Sequence, residues 1–465
     1  MKNVVRFFLA LLFLPLCFSA RAEKKPNIVL IICDDAGFAD FGFQGSKIMK
    51  TPHLDKACAS GVRFAEGYVT SAVCAPSRAG IITGRYQQRF GYEQINIIGY
   101  MDKNSALKGE NMGLPESEKT LANYLKEAGY ATGFFGKWHL GDGDQFHPTK
   151  RGFDEFIGFR DGSRSYFAYP EKELKKPHMK YKRMEWGYKK FKEPEYYMTD
   201  LLGDEAAKFI EKHKEGPFFE IVSFNAVHTP LEYLPEDTAQ FPELNGKRKV
   251  LAGMTLALDR ACGTIFNKLE ELGLSDNTII AFVSDNGGPT DKNASCNLPL
   301  SGTKSNYLEG GIRVPFFMTW PAGFPAGLTY DQPVSTLDFG PTFLKAAGLK
   351  AQDYKIMDGK DLKPFVNAVT PNAPHDELYW KKAERAAFRE GDWKLIRYAD
   401  RPAELYNIAE DISETNDLAL TYPDKVRKMY KKIWEWERHH PAPLWIIDRK
   451  WDVYDLERMD KYHLK

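Results

Sequence analysis

The sequence is short of several features that would fix its class at once. Basic and acidic residues nearly cancel, 64 Lys and Arg against 63 Asp and Glu, so there is no positive excess of the kind that neutralises nucleic-acid phosphates. After residue 22 no apolar run is long enough to span a bilayer. No internal repeat and no low-complexity tract is present, which argues against solenoids, propellers and disordered linkers. Cysteine is scarce, 6 in 465 residues, and no two are spaced C-x-x-C. That excludes a zinc ribbon and a thioredoxin-type centre.

What is present describes a large packed protein. Hydrophobic residues make up 43% and aromatics 14%, enough for an extensive core, and the length predicts one large domain with a smaller one. Residues 1–22 read as a signal peptide: Lys2 and Arg6 form a charged start, Phe7 to Phe18 an apolar stretch, and Ala20-Arg21-Ala22 a cleavage site. The expectation is an exported chain, periplasmic or secreted, with no stable membrane span. Without its leader the chain is slightly acidic. Cys17 leaves with the leader, and the remaining five, Cys33, Cys58, Cys74, Cys262 and Cys296, are an odd number in an oxidising compartment. At least one thiol therefore needs a role; Cys33, Cys58, Cys262 and Cys296 can be free or paired.

The candidate is Cys74, in Cys74-Ala75-Pro76-Ser77-Arg78. Pro76 suits the first position of a helix, where a missing N–H costs nothing, and Gly84 can end that helix. Cys74 would then precede a helix N-terminus, which favours an anion, with Arg78 one turn further on. Around it the chain repeats one grammar. Buried apolar strands end abruptly in polar groups, as in parallel α/β sheets whose ligands collect beyond the carboxyl ends of strands. Asn27 to Cys33 ends in Asp34-Asp35, and Thr278 to Ser284 ends in Asp285-Asn286. Ala131 to Gly136 leads to Lys137 and His139, and Pro217 to Phe224 leads to His228. Helices are expected at 121–128 and over Leu251 to Leu272. Beyond a helix at 337–347, short strands at 377–380, 385–389 and 393–398 and a helix at 424–438 predict a small α+β unit with an antiparallel sheet. The expected organisation is a catalytic domain over 23–365 and an α+β subdomain over 366–465. Residues 171–197, rich in lysine with Tyr181, Trp186, Tyr188 and Phe191, read as an insertion at a sheet edge. It is either a solvated surface or a wall for an anionic sugar.

With these residues in place the chain resembles the type I sulfatases of the alkaline phosphatase-like superfamily. The resemblance rests on Asp34-Asp35-Ala36-Gly37-Phe38, Cys74 to Arg78 with Thr83-Gly84-Arg85, Gly136 to Gly141, His228-Thr229-Pro230, Asp285-Asn286-Gly287, and Lys304 with Glu309 to Pro315. It implies an α/β fold, a large mixed and mostly parallel sheet flanked by helices. The implied activity is hydrolysis of sulfate esters of a carbohydrate, of galactan or glycosaminoglycan type, by an exported bacterial enzyme. Cys74 would be converted to Cα-formylglycine by a formylglycine-generating or anaerobic maturation enzyme reading Cys74, Pro76 and Arg78; Ala75 departs from the Thr or Ser common in the family. A hydrated aldehyde can take sulfate on one oxygen and expel it by collapse through the other, which a serine cannot. By resemblance, Asp34, Asp35, Asp285, Asn286 and the modified Cys74 bind Ca²⁺, with Mg²⁺ second. Arg78 and Lys137 hold the hydrate and His139 is its base. Lys304 and His228 grip sulfate, one of them protonating the leaving alcohol. Asn286 stands where two-zinc relatives carry histidine, which argues against an ordinary phosphatase. A phosphonate or phosphodiester hydrolase on the same modified cysteine, and a non-catalytic binder of sulfated glycans, are the alternatives.

Overall fold

A computed structural model describes residues 24–370 and 372–464; the expected signal peptide lies outside them. The strand Asn27–Cys33 has every residue buried, as its unbroken apolar run demands. It lies at the centre of a nine-stranded sheet. The order is Leu328–Tyr330, Val62–Phe64, Phe316–Thr319, Thr278–Ser284, Asn27–Cys33, Phe218–Ser223, Ala131–Lys137, Glu155–Phe159 and Glu185–Trp186. The five strands from Thr278–Ser284 to Glu155–Phe159 run parallel. Phe316–Thr319 and Glu185–Trp186 join antiparallel on either side.

Both faces are covered. On one, Ile28, Leu30 and Ile32 pack against Ala75, Ala79 and Ile82 of the helix Cys74–Thr83, and against Leu121, Leu125, Phe339 and Phe343. On the other, Val29 and Ile31 meet Leu201, Leu202, Leu251, Leu258 and Ile265 of the helices Met198–His213 and Gly246–Glu271. Each fully buried Ile, Leu or Val contributes about 1.5–3 kcal/mol, and successive residues of the central strand serve the two opposite faces in turn.

A second sheet, fully antiparallel, has the order Glu377–Lys382, Arg385–Glu390, Trp393–Arg397 and Glu404–Asn407. Its Ala386, Phe388, Leu395 and Leu405 pack on Met429 and Ile433 of the helix Pro423–Glu437. Its other side, Trp380, Ala387, Ile396 and Tyr406, joins the hydrophobic cluster of the large sheet. A last helix, Arg449–Tyr462, packs against the segment around Gly302 and Lys304. Cys33, Cys58, Cys74, Cys262 and Cys296 are free thiols. Among the described residues no helix is long and apolar enough to cross a membrane.

Candidate active site

Strand register assembles the site. Cys33 stands opposite Ser284 in parallel pairing, so the next residues, Asp34 and Asp285, leave adjacent strand ends at one level. Gly136 stands opposite Ser223, which brings Lys137 alongside them. The helix Cys74–Thr83 starts with Val73 as its N-cap, two residues earlier than the sequence suggests. Pro76 is tolerated inside the first turn because those N–H groups have no intrahelical partner in any case. Cys74 thus sits within the first turn, with the positive end of the helix against it, and Arg78 one turn on.

Asp34, Asp35, Cys74 and Asp285 are all buried, and one ligand atom from each lies within 4.8 Å of the others. Cations bracket them. Lys137 Nζ donates to Asp34 at 2.6 Å, and the Arg78 guanidinium meets Asp285 at 2.8 and 2.9 Å. Lys304 Nζ lies 2.6 Å from Asp35 and 3.0 Å from Cys74 Sγ. His228 Nε2 is 3.5 Å from Asp35, while its Nδ1 donates to the Thr229 carbonyl. Asn286 donates to Asp35 at 2.7 Å, and its own buried oxygen has no protein partner. All the residues singled out from sequence are therefore brought together: Asp34, Asp35, Cys74, Arg78, Lys137, His139, His228, Asp285, Asn286 and Lys304.

Burial sets the electrostatics and charge pairing modifies them. Burial pushes the Cys74 thiol up to about 12, although Lys137 and Lys304 pull the other way. Burial would raise Asp35 too, but Lys304, His228 and Lys137 overrule it and hold the carboxyl well below the usual range. Asp285 is raised, by burial and then by the charge of Asp34. His139 is pushed well below the ordinary imidazole value by burial and then by the charges of Lys137, Arg78 and Lys304. Both of its ring nitrogens are buried without a protein partner, the condition of an imidazole kept free for a reacting group.

Backbone geometry is strained where the chemistry sits. Asp35 (φ 63°), His139 (φ 54°) and Ser305 (φ 81°) occupy the left-handed region, at a cost of about 1–3 kcal/mol each. Two glycines permit the close approach of loops. A Cβ on Gly287, just after Asn286, would lie 1.8 Å from the Gly310 carbonyl oxygen. One on Gly162 would lie 2.7 Å from His139 Nε2.

The centre opens into a cavity of about 360 Å³. Ile95, Ile97 and Tyr100, Gly162 and Ser163, Lys292, and Trp451, Tyr454 and Arg458 of the last helix line it. The stretch 171–197 does not line this cavity. Its Glu185–Trp186 segment is the edge strand, and Lys180, Lys189 and Lys176 are occupied by Glu110, Asp144 and Glu173. The cavity wall from 449–462 was missed in the sequence because that helix carries charge on every side. No apolar stripe marks it.

The donor set suits a hard cation. Three carboxylates converge beside the Cys74 side chain, and Asn286, hydrogen-bonded to Asp35, keeps an unpartnered amide oxygen as a further hard donor.

The sequence pattern of the Sulfatase family matches residues 26–349, and that of the N-sulphoglucosamine sulphohydrolase C-terminal region matches residues 303–439. The chain is 35% identical over 363 residues to mouse (Mus musculus) N-acetylgalactosamine-6-sulfatase, covering 74% of this chain and 67% of that protein. It is 30% identical over 432 residues to human (Homo sapiens) steryl-sulfatase, covering 77% and 73%. The solved structure of Ps i-CgsB in complex with k-i-k-neocarrahexaose superposes with a TM-score of 0.85 at 37% identity. The match covers 95% of this chain and 100% of that one.

Proposed function

This chain belongs to the sulfatase family, with the alkaline phosphatase-like fold, and is a sulfuric ester hydrolase; from that premise we propose that it removes sulfate from a sulfated carbohydrate, using a formylglycine made from Cys74 and one divalent cation. The observation that carries this reading is the meeting of the Cys74 side chain with Lys304 at 3.0 Å, directly above the cluster of buried carboxylates. Sugar is favoured over a sterol because the cavity beyond is rimmed by Lys292, Arg458 and Ser163 as well as by aromatic rings. Relatives point the same way, one named for N-acetylgalactosamine and one solved in complex with k-i-k-neocarrahexaose. Export of the chain to the periplasm or medium belongs to the same proposal.

The residues divide the work. Asp34, Asp35, Asp285 and Asn286 would hold Ca²⁺, with Mg²⁺ second, which supplies Lewis-acid neutralisation of sulfate charge. Residue 74 as hydrated formylglycine supplies one hydroxyl to accept sulfate and a second whose deprotonation re-forms the aldehyde. Lys137 and Arg78 are locked by Asp34 and Asp285 and orient that side chain. His139, with both ring nitrogens free of protein partners, takes the proton of the second hydroxyl. Lys304 and His228 reach in from the cavity side, grip the sulfate oxygens, and between them deliver the proton to the departing alcohol.

Two measurements on one preparation test this. Mass spectrometry of the peptide holding residue 74 should show conversion of the thiol-bearing side chain to an aldehyde, and the same protein should hydrolyse 4-nitrophenyl sulfate. Full turnover by protein whose Cys74 is entirely unmodified would overturn the mechanism. A fully converted protein inert on every sulfate ester would overturn the activity.

A further inference from the structure

The cavity mouth holds more positive charge than the sulfate being cleaved requires. Beyond the catalytic cluster two salt-bridged groups lie on its wall. In one, Lys382 and Arg385 meet Asp455 at 2.6 and 3.0 Å, with Asp452 beside Arg385 at 3.2 Å, and charge cancels. In the other, it does not. Arg458 pairs with Asp291 at 2.6 Å, so that carboxylate is already spoken for, and the Tyr454 hydroxyl donates to it at 3.4 Å. Lys292 lies 3.7 Å from the same carboxylate and has a half-exposed side chain. Two cations thus share one anion.

These groups are arranged around a single ring. Lys292 Nζ is 5.4 Å and the Arg458 guanidinium carbon 5.6 Å from the centroid of Tyr454. Arg458 is 93% buried, and its Nε–H has no partner. A guanidinium donor buried without a partner is unfavourable, and its positive charge still acts on an anion beside the Tyr454 ring. Arg458 also donates to the Lys304 carbonyl at 2.9 Å, so the patch adjoins the lysine that grips the scissile sulfate. Trp451 stands one turn before Asp455 on the same wall, tilted at 47° against Tyr100 with centroids 4.1 Å apart.

We propose that Lys292 and Arg458, set about the Tyr454 ring, form a second anion subsite, so that the enzyme acts on saccharides carrying another anionic group near the sulfate it removes. This rests on the sulfatase reading above and narrows its substrate class. The second anion is a sulfate or a uronate carboxylate; the same donors accept either. A half-exposed lysine pairing with such a group changes discrimination by about two- to fivefold, and the effect weakens with salt.

The test uses the full, formylglycine-bearing enzyme and two substrate pairs. One pair is a galactose disaccharide with one sulfate and the same disaccharide with two. The other is a monosulfated uronic-acid disaccharide and its carboxyl-reduced form. The parent should prefer the more anionic member of at least one pair, and which pair identifies the second anion. Lys292→Ala should cut that preference in kcat/KM about two- to fivefold, and Lys292→Arg should keep it. Lys175→Ala, at a solvated surface lysine, should keep the parental ratio. A parent without preference in either pair, or a Lys292→Ala enzyme with the parental ratio, would overturn the subsite. Failure of the parent to cleave any sulfate ester, 4-nitrophenyl sulfate included, would instead remove the reading on which it rests.

Discussion

Replacing Lys394 by methionine removes a buried cation that two buried carboxylates share directly. Lys394 Nζ lies 2.8 Å from both Glu309 and Glu414, and all three side chains are fully buried. Glu309 retains the Tyr68 hydroxyl at 2.6 Å and Arg313 at 3.5 Å. Glu414 retains only the Glu309 N–H, at 2.6 Å. Burial, and next the charge of Glu309, act to raise Glu414 while Lys394 opposes them. Burial would raise Glu309 as well, but Lys394, Arg313 and Arg389 hold it low. Breaking such a pair by removing one partner costs about 3–5 kcal/mol, because a buried charge is left uncompensated. With an unfolding entropy of about 2.1 cal/mol/K per residue, a chain of this length melting as one unit loses about 3–5 °C in Tm. Differential scanning calorimetry at pH 7 measures this directly. Lys394→Met combined with Glu414→Gln, which keeps an acceptor for the Glu309 N–H without the charge, should recover about half the loss. A single variant within 1 °C of the parent (a margin set against the predicted shift), or a double variant no better than the single, would refute the reasoning.

Cys74→Ala and Cys74→Ser should both lose nearly all turnover of 4-nitrophenyl sulfate while keeping the parental melting temperature, since the helix is held by Ala75, Ala79 and Ile82; a Cys74→Ser enzyme as fast as the parent would rule out the formylglycine route. Asp285→Ala should weaken Ca²⁺ binding in a calorimetric titration and shrink the Tm rise on adding Ca²⁺, which reaches about 4 kcal/mol at a thousandfold excess over Kd; unchanged affinity would take Asp285 out of the ligand set. Asp142, pushed up to about 8 by burial and then by Asp161, keeps its proton in the folded chain. The stability this gives is whole below the unfolded carboxyl's pKa and is lost as pH rises through about 8, by up to about 1.4 kcal/mol per pH unit. Asp142→Asn should flatten urea-unfolding free energies between pH 5 and 8 (the span between the unfolded and folded values), and identical profiles for variant and parent would show the carboxyl to be ionised.

The strand ends were legible because a strand buried on both faces reads as an apolar run, and a polar residue that follows it abruptly must lie at the sheet's edge. Asn27–Cys33 and Thr278–Ser284 fall where the runs place them. The lateral order of strands was not legible, yet it is the pairing of Cys33 with Ser284 that turns two remote acidic pairs into one cluster. The helix start at Cys74 was placed two residues late, because Pro76 is compatible with any position in the first turn. The lysine-rich stretch misled as a candidate wall, since its lysines find carboxylates that are distant in sequence, Lys180 with Glu110 and Lys189 with Asp144. Nothing local announced that Arg449–Tyr462 would face the cavity instead.

That last helix matters for more than the cavity's shape. The segment from Ser301 to Glu309 carries Lys304 and contains no strand of the large sheet, so its position must come from elsewhere. Gly302 donates to the Tyr462 carbonyl at 2.8 Å, and Ser301 donates to the Ser413 carbonyl and accepts from Leu464. Arg458 donates to the carbonyl of Lys304, Arg385 to that of Ser305, and Glu414 receives the Glu309 N–H. Ser305, in the left-handed conformation, is held by its N–H on the Ala72 carbonyl, two residues before Cys74. The lysine that meets the nucleophile is therefore positioned largely by the C-terminal hundred or so residues, and the same residues supply the far wall of the sugar cavity. On the proposed function, a sugar bound against Tyr454 and Arg458 would lie on the same element that sets Lys304, which ties recognition of the sugar to the grip on its sulfate.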